Sequence, residues 1–163
     1  MGTGVASRFV AEISDRGTPP TGTILESPFS NIHDVAVNHP FSKPFRWLGK
    51  YFDKLLVDRW VDSGLVMRSD KAIGRFKCPI LILHAADDHI IPLRLGKALA
   101  DAAKEADRDI KFVEFEENLN LRHKFIHRAP HFVEILTEFF NYCEVPNRSK
   151  FRTHRQEEVY IDQ

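Results

Sequence analysis

The run of residues 79–85, with sequence PILILHA, is the feature that most limits how this chain can fold. Its residues are apolar at odd and even positions alike, so a strand formed by them has no face suited to water. Strands of this kind lie in the middle of parallel sheets, where helices cover both faces. The sequence therefore predicts neighbouring parallel strands, joined to this one by crossover helices.

Elements of both kinds are predicted on either side of this run. Apolar spacing and the positions of glycine and proline predict helices at 4–15, 69–75, 92–106 and 130–142, and strands at 21–26 and 110–115. Strands that alternate with helices indicate an α/β fold with a parallel sheet flanked by helices. Pro92 suits the start of its helix, because the first turn needs no amide donor.

Length and charge exclude several classes of protein. The chain has 163 residues, a length typical of one domain, with 23 basic and 23 acidic side chains. This balance argues against a nucleic-acid-binding protein that works through a broad basic face. No stretch approaches the ~20 apolar residues of a membrane span, and no signal segment is recognised.

Two acidic residues and a histidine follow predicted strands. Asp87 and Asp88 come after the strand at 79–85, and His123 comes 35 residues after Asp88, beyond the strand at 110–115. The carboxyl ends of parallel strands share one edge of a sheet, where ligand sites form. An aspartate there can orient a histidine that acts as a general base. The chain order of α/β-hydrolases is serine, acid, histidine, which fits this pair as the later two members.

Other interpretations of these residues remain open. An Asp-Asp pair is common in turns and helix caps, and a loop histidine is commonly a surface residue. Imidazole and carboxylate groups also bind metals. The sets that could do so are His84, Asp88 and His89, or His123 with His127. Because Pro130 follows His127 closely, a continuous helix presenting the second set is disfavoured, and no metal site is predicted.

Several motifs, together covering about residues 1–142, resemble one group of enzymes. They are GTGVA at 2–6, ILESPF at 24–29 with NI at 31–32, HPFS at 39–42, CP at 78–79, LHA at 83–85, DD at 87–88 with Pro92, and RHK at 122–124. By these motifs the chain resembles the C-terminal half of the alpha/beta hydrolase domain-containing 12 lipases. The resemblance implies the C-terminal half of an α/β-hydrolase fold.

The resemblance also implies an activity and two catalytic residues. It implies a serine hydrolase of the lipase type, without a cofactor, that cleaves ester bonds of lysophospholipids or monoacylglycerols. Asp88 would be the acid and His123 the general base, with Asp87 the less favoured acid. The family usually has glycine at the position of Asn120. Asparagine also tolerates the left-handed backbone region, so we expect this loop to keep its shape.

The nucleophile and the oxyanion hole fall at the start of the chain. In the family, the segment resembling residues 1–4 directly follows a Gly-His-Ser that contains the nucleophile, so the catalytic serine would precede Met1. The Met1 nitrogen would supply half of the oxyanion hole, but in this chain it is the terminal amine. A substitute nucleophile at Ser27, Ser30 or Ser63 is disfavoured, because these serines lie in turn-like contexts. We therefore expect the 163-residue chain alone to be inactive. The alternative is a non-catalytic, hydrolase-like protein that binds lipid or a partner.

An aromatic segment at 38–65 is predicted to form a short cap-like insertion. The residues proposed to contact an acyl chain are Phe41, Phe45, Trp47, Tyr51 and Phe52. Alternatively, they pack the insertion onto the rest of the domain. The predicted organisation is a partial hydrolase domain at 1–145 and a polar tail at 146–163. By resemblance we also expect contact with a membrane surface and an endoplasmic reticulum location.

Overall fold

The computed structural model describes residues 2–31, 68–145 and 158–160. The helices are α1 (Gly2–Asp15), α2 (Ser69–Ile73), α3 (Leu93–Glu105) and α4 (Phe132–Glu144). The strands are β1 (Thr23–Glu26), β2 (Ile80–Ala85), β3 (Ile110–Phe115) and β4 (Glu158–Tyr160). Two 3-10 turns, Glu117–Leu119 and Ile126–Arg128, lie between β3 and α4.

The described strands form one parallel sheet in the order β1-β2-β3-β4. Ile80 in β2 lies opposite Thr23 of β1 and Ile110 of β3. All six residues of β2 are buried, as expected for a strand with neighbours on both sides and helices on both faces. The α/β fold with a parallel sheet flanked by helices is therefore confirmed.

Alternate residues of β2 contribute to two separate apolar cores. Ile80 and Ile82 belong to the core formed with α1, α2 and α3. Leu81 and Leu83 belong to the opposite core, where Phe139 of α4 is buried. Because successive side chains of a strand point to opposite faces, these assignments place α3 and α4 on opposite sides of the sheet. Both crossover helices thus hold β2 in place and, with it, the residues that follow its carboxyl end.

One strand was not predicted from the sequence. Glu158–Tyr160 of β4 pairs in parallel with Val113–Phe115 of β3, inside the segment predicted to be a polar tail. Three residues without a longer apolar run give no sequence signal, and the strand is specified by pairing along β3. The insertion at 38–65 lies outside the described residues, and the domain boundaries at 145 and 146 stay predictions.

Left-handed backbone marks the loops at the carboxyl edge of the sheet. Ser27, directly after β1, has φ 44°, and its amide donates to the Leu83 carbonyl at 2.8 Å. In the loop after β3, Asn120 and Arg122 have φ 52° and 51°. The expectation that asparagine supports the left-handed region at position 120 is thus met by the structure. These turns redirect the chain where β1 and β3 end, beside the loop that follows β2.

Candidate active site

Asp88 lies in the loop between β2 and α3 with a fully buried side chain. Its Oδ1 atom accepts hydrogen bonds from the amides of Ile90 and Ile91, both at 2.9 Å. This is the turn chemistry common for aspartate, and it fixes the direction of the carboxylate. The turn uses only one of the two oxygens, so Oδ2 is left for another donor.

His123 provides that donor from the loop after β3. Its Nδ1 lies 2.7 Å from Asp88 Oδ2, although the two residues are 35 positions apart in the chain. A carboxylate only accepts, so Nδ1 carries the proton, and in the neutral imidazole Nε2 has a free lone pair. About a third of the His123 side chain is exposed, while that of Asp88 is buried. The pair has the geometry of the acid and base of a catalytic triad.

The surroundings of Asp88 stabilise its charged form. Burial acts to raise the pKa of this carboxyl, but the hydrogen bonds from His123 and from the Ile91 amide outweigh it and leave the pKa below its usual value. The Ser27 hydroxyl also helps to lower the Asp88 pKa. Among the described residues, the Ser27 Oγ makes no hydrogen bond of ordinary geometry, so we attribute this effect to its nearby dipole. Asp88 is therefore ionised at neutral pH.

His84, the fifth residue of β2, is hydrogen-bonded to the loop that carries Asp88. It is completely buried, and its Nε2 donates to the Ile91 carbonyl at 2.9 Å. Burial is the largest cause that lowers the pKa of His84, so the ring is neutral. Its Nε2 lies 3.8 Å from Asp88 Oδ2, beyond hydrogen-bond distance. His84 thus holds the Ile91 backbone, whose amide binds the Asp88 carboxylate.

Gly96 in α3 makes room for the His84 ring. A Cβ atom at position 96 would lie 2.3 Å from His84 Nδ1, which is closer than any real contact. The same Nδ1 has no hydrogen-bond partner among the described residues. The absence of a side chain at Gly96 therefore lets α3 pack directly on the imidazole that supports the Asp88 loop.

Asp87 has a different contact from its neighbour. Both of its carboxylate oxygens accept from the Arg122 amide at 2.9 Å, and the side chain does not contact the His123 ring through any described hydrogen bond. The structure thus pairs Asp88, rather than Asp87, with His123. That Asp88 is the catalytic acid stays a prediction.

The other candidate residues fall into two groups. The Met1 nitrogen, Ser63 and the five aromatic residues of the insertion lie outside the described residues. Ser27 and Ser30 are described, and both are buried. His127, in the second 3-10 turn, is exposed. Within residues 2–31 and 68–145, no cluster of three or more histidine, cysteine or acidic side chains has an arrangement able to hold a metal.

No helix in the described part of the chain combines the length and apolar character needed to cross a membrane.

The partners of Asp88 other than His123 were not predicted from the sequence. His84 entered the sequence analysis as part of the LHA motif and, with Asp88 and His89, as a possible metal ligand. Its contact with the Ile91 carbonyl was not predicted, because that contact depends on the path of the loop after β2. The adjacency of Asp87 and Asp88 was the sequence signal that could have suggested two contacts with the loop after β3, one to Arg122 and one to His123.

Curated relatives match most of this chain. Lysophosphatidylserine lipase ABHD12 of Danio rerio is 42% identical over 143 residues, covering 85% of this chain and 37% of that protein. The protein of the same name from Macaca fascicularis is 40% identical over 148 residues, covering 88% of this chain and 37% of its own length. Human Protein ABHD12B is 28% identical over 144 residues, covering 86% of this chain and 39% of that protein. The chain thus spans somewhat more than a third of the length of these relatives. No family model matches it.

Solved structures show the same fold. An acylaminoacyl peptidase from Pyrococcus horikoshii superposes with a TM-score of 0.61 at 15% identity, covering 89% of this chain and 24% of the peptidase. BpoC from Mycobacterium tuberculosis superposes with a TM-score of 0.52 at 14% identity, covering 88% of this chain and 65% of that one. Both are α/β hydrolases. Over most of its length, this chain is a homologue of the ABHD12 lysophosphatidylserine lipases, and it has the α/β-hydrolase fold.

Proposed function

We propose that Asp88 and His123 are the acid and the general base of a serine ester hydrolase of the lipase type. The observation that carries this proposal is the 2.7 Å contact between a buried, ionised carboxylate and the Nδ1 atom of a partly exposed imidazole. Similarity to the ABHD12 lipases supports it independently, because the aligned region includes both residues.

In this proposal each group has one role in acyl transfer. His123 Nε2 removes the proton of a serine hydroxyl as the serine oxygen bonds to the ester carbonyl carbon, and then donates that proton to the departing glycerol oxygen. Water next attacks the acyl-enzyme, with the same nitrogen as base, and releases the fatty acid. Asp88 keeps the proton on Nδ1 and stabilises the imidazolium that forms at each step.

We propose that the nucleophile is a serine outside the described residues, at the position that the family resemblance places directly before Met1. Every serine in residues 2–31 and 68–145 is buried, and they are Ser7, Ser14, Ser27, Ser30 and Ser69. Ser7 donates to the Thr3 carbonyl, and Ser14 accepts from the Lys77 amide. These contacts belong to the packing of α1 and do not resemble an exposed nucleophile.

The finer substrate assignment is also a proposal. The names of the relatives point to lysophosphatidylserine. We extend the substrate class to lysophospholipids and monoacylglycerols at a membrane surface, and we propose an endoplasmic reticulum location from the family resemblance. We further propose that the aromatic residues of the insertion contact the acyl chain. If so, Trp47→Ala should raise KM more for long-chain than for short-chain esters.

A fluorophosphonate probe, which reacts with activated serines, tests the catalytic assignment. We expect the native polypeptide that contains this sequence to be labelled, and the 163-residue chain alone to remain unlabelled. His123→Gln should slow labelling and ester hydrolysis at least ~100-fold, because general-base catalysis contributes about 10²–10⁴. His127→Gln, at an exposed histidine four positions away, is the matched control.

Three results would contradict the proposal. Labelling of the 163-residue chain itself would indicate a nucleophile other than the serine proposed here. Full activity of His123→Gln would exclude His123 as the base. A native polypeptide that binds lysophospholipid vesicles but is neither labelled nor hydrolytic would favour the non-catalytic lipid-binding alternative.

A further inference from the structure

The two aspartates that follow β2 each bind the loop after β3. Asp88 binds the ring of His123 through Nδ1, and Asp87 binds the backbone amide of Arg122 through both carboxylate oxygens. Each contact joins residues 35 positions apart. Adjacent residues of one loop thus hold adjacent residues of the other, one at the main chain and one at the catalytic side chain.

The main chain at Arg122 needs such a contact. Arg122 has φ 51°, a left-handed conformation that is unfavourable for a non-glycine residue. A hydrogen bond to a carboxylate is stronger than one to a neutral acceptor, and two oxygens directed at one N–H restrict its orientation. Asp87 is therefore well placed to keep this strained residue in its observed conformation.

The orientation of the next residue depends on this anchor. His123 follows Arg122 directly, so a rotation of the backbone at 122 would displace the imidazole from Asp88 Oδ2. The loop has another fixed point in Leu121, which is buried in the core beneath α4. Burial of Leu121 fixes how closely the loop lies to the core, but an apolar contact is non-directional and does not fix the orientation of the following peptide.

We propose that Asp87 is a positioning residue, which binds the Arg122 amide and thereby holds the His123 ring against Asp88. The catalytic meaning of this contact rests on the function proposed above for His123. The contact itself can be tested without any hydrolysis.

The test uses nuclear magnetic resonance on the full, isotopically labelled chain with substitutions at position 87. In Asp87→Ala, we expect the Arg122 amide to exchange with solvent at least ~10-fold faster, because its acceptor is lost. The His123 Nδ1–H signal should be present in the parent chain and broaden or vanish in Asp87→Ala. Asp87→Asn keeps one neutral acceptor, so a roughly threefold faster exchange and a retained ring signal are expected.

Asp101→Ala is the matched control. Asp101 is an exposed aspartate on α3, and its described ion pair is to Lys104 on the same helix, at 3.5 Å. This variant should alter neither signal. Amide protection in β2 and β3 reports whether each variant is folded. If Asp87→Ala does not fold, the graded effect of Asp87→Asn on Arg122 exchange remains decisive.

A folded Asp87→Ala chain with unchanged Arg122 exchange and an unchanged His123 ring signal would overturn the proposal. So would unchanged Arg122 exchange in Asp87→Asn. In the native polypeptide, we expect Asp87→Ala to lower kcat about tenfold with little change in KM, because a displaced base slows chemistry and leaves binding intact. If the parent polypeptide is not hydrolytic at all, the proposed function fails, while the resonance measurements still decide whether Asp87 positions His123.

Discussion

His84 shows how a single buried side chain can make the stability of the fold depend on pH. Its pKa is lowered, chiefly by burial, from an ordinary value of 6.5. As the pH falls below that value, the unfolded chain takes up a proton here that the folded chain does not. The stabilisation is therefore complete above the unfolded pKa and is lost as the pH falls toward the lower folded pKa.

We predict that His84→Gln removes this part of the pH dependence. Glutamine can still donate an N–H toward the Ile91 carbonyl but cannot titrate. Urea unfolding between about pH 5 and pH 7.5 should give a smaller slope of stability against pH than in the parent chain. His127→Gln, at an exposed site, is the control. An unchanged slope in His84→Gln would show that another group is responsible.

Asp88 acts in a separate pH range. Its pKa is lowered from 3.8, so its contribution is present above that value and is lost as the pH falls through the lower folded pKa. Position after parallel strands was enough to predict that an acid of the Asp87-Asp88 pair and His123 meet at one edge of the sheet, and the 2.7 Å contact between Asp88 and His123 fits that expectation. Position was not enough to predict the contacts of His84, Asp87 and Ser27, which depend on the return path of each loop.

At the scale of one helix, α4 carries two adjacent phenylalanines in opposite environments. Phe139 is 2% exposed and lies in the core with Leu81 and Ile135, while Phe140 is 53% exposed. We predict that Phe139→Ala lowers the free energy of unfolding by about 3–5 kcal/mol through loss of packing and a cavity. Phe140→Ala should cost less than about 1 kcal/mol.

Chemical denaturation of the two variants gives this comparison directly. Each substitution removes the same atoms from the same helix, so differences in helix propensity cancel. Equal losses of stability would contradict the described orientation of α4. The apolar spacing of 130–142 predicted this helix correctly, because one face had to be buried. It did not predict the 3-10 turn at Ile126–Arg128, whose backbone is set by the preceding loop.

At the scale of the whole molecule, β4 links the end of the chain to the sheet. It pairs with Val113–Phe115, next to the origin of the His123 loop. We predict that removal of residues 158–163 lowers the free energy of unfolding by about 1–3 kcal/mol, since a few backbone hydrogen bonds are lost. Removal of 161–163 alone is the control and should have little effect.

Urea unfolding, together with amide exchange along β3, measures the effect of these truncations. If 158–163 can be removed without faster exchange in β3, the pairing does not contribute to stability. The alternation of strands and helices predicted the sheet because it depends on burial, which the residue pattern records. The short β4 has no comparable sequence pattern, since its pairing depends on β3, which is distant in the chain.

The long-range contact between the two loops also has a consequence for the order of folding. Asp88 and His123 are 35 residues apart, and α3 and β3 lie between them. Closing so long a segment costs entropy before any compensating contact forms. We therefore expect the crossover helix and the neighbouring strand to pack before the contact between Asp88 and His123 forms. A chain that has just collapsed would then contain the sheet before His123 is held against Asp88.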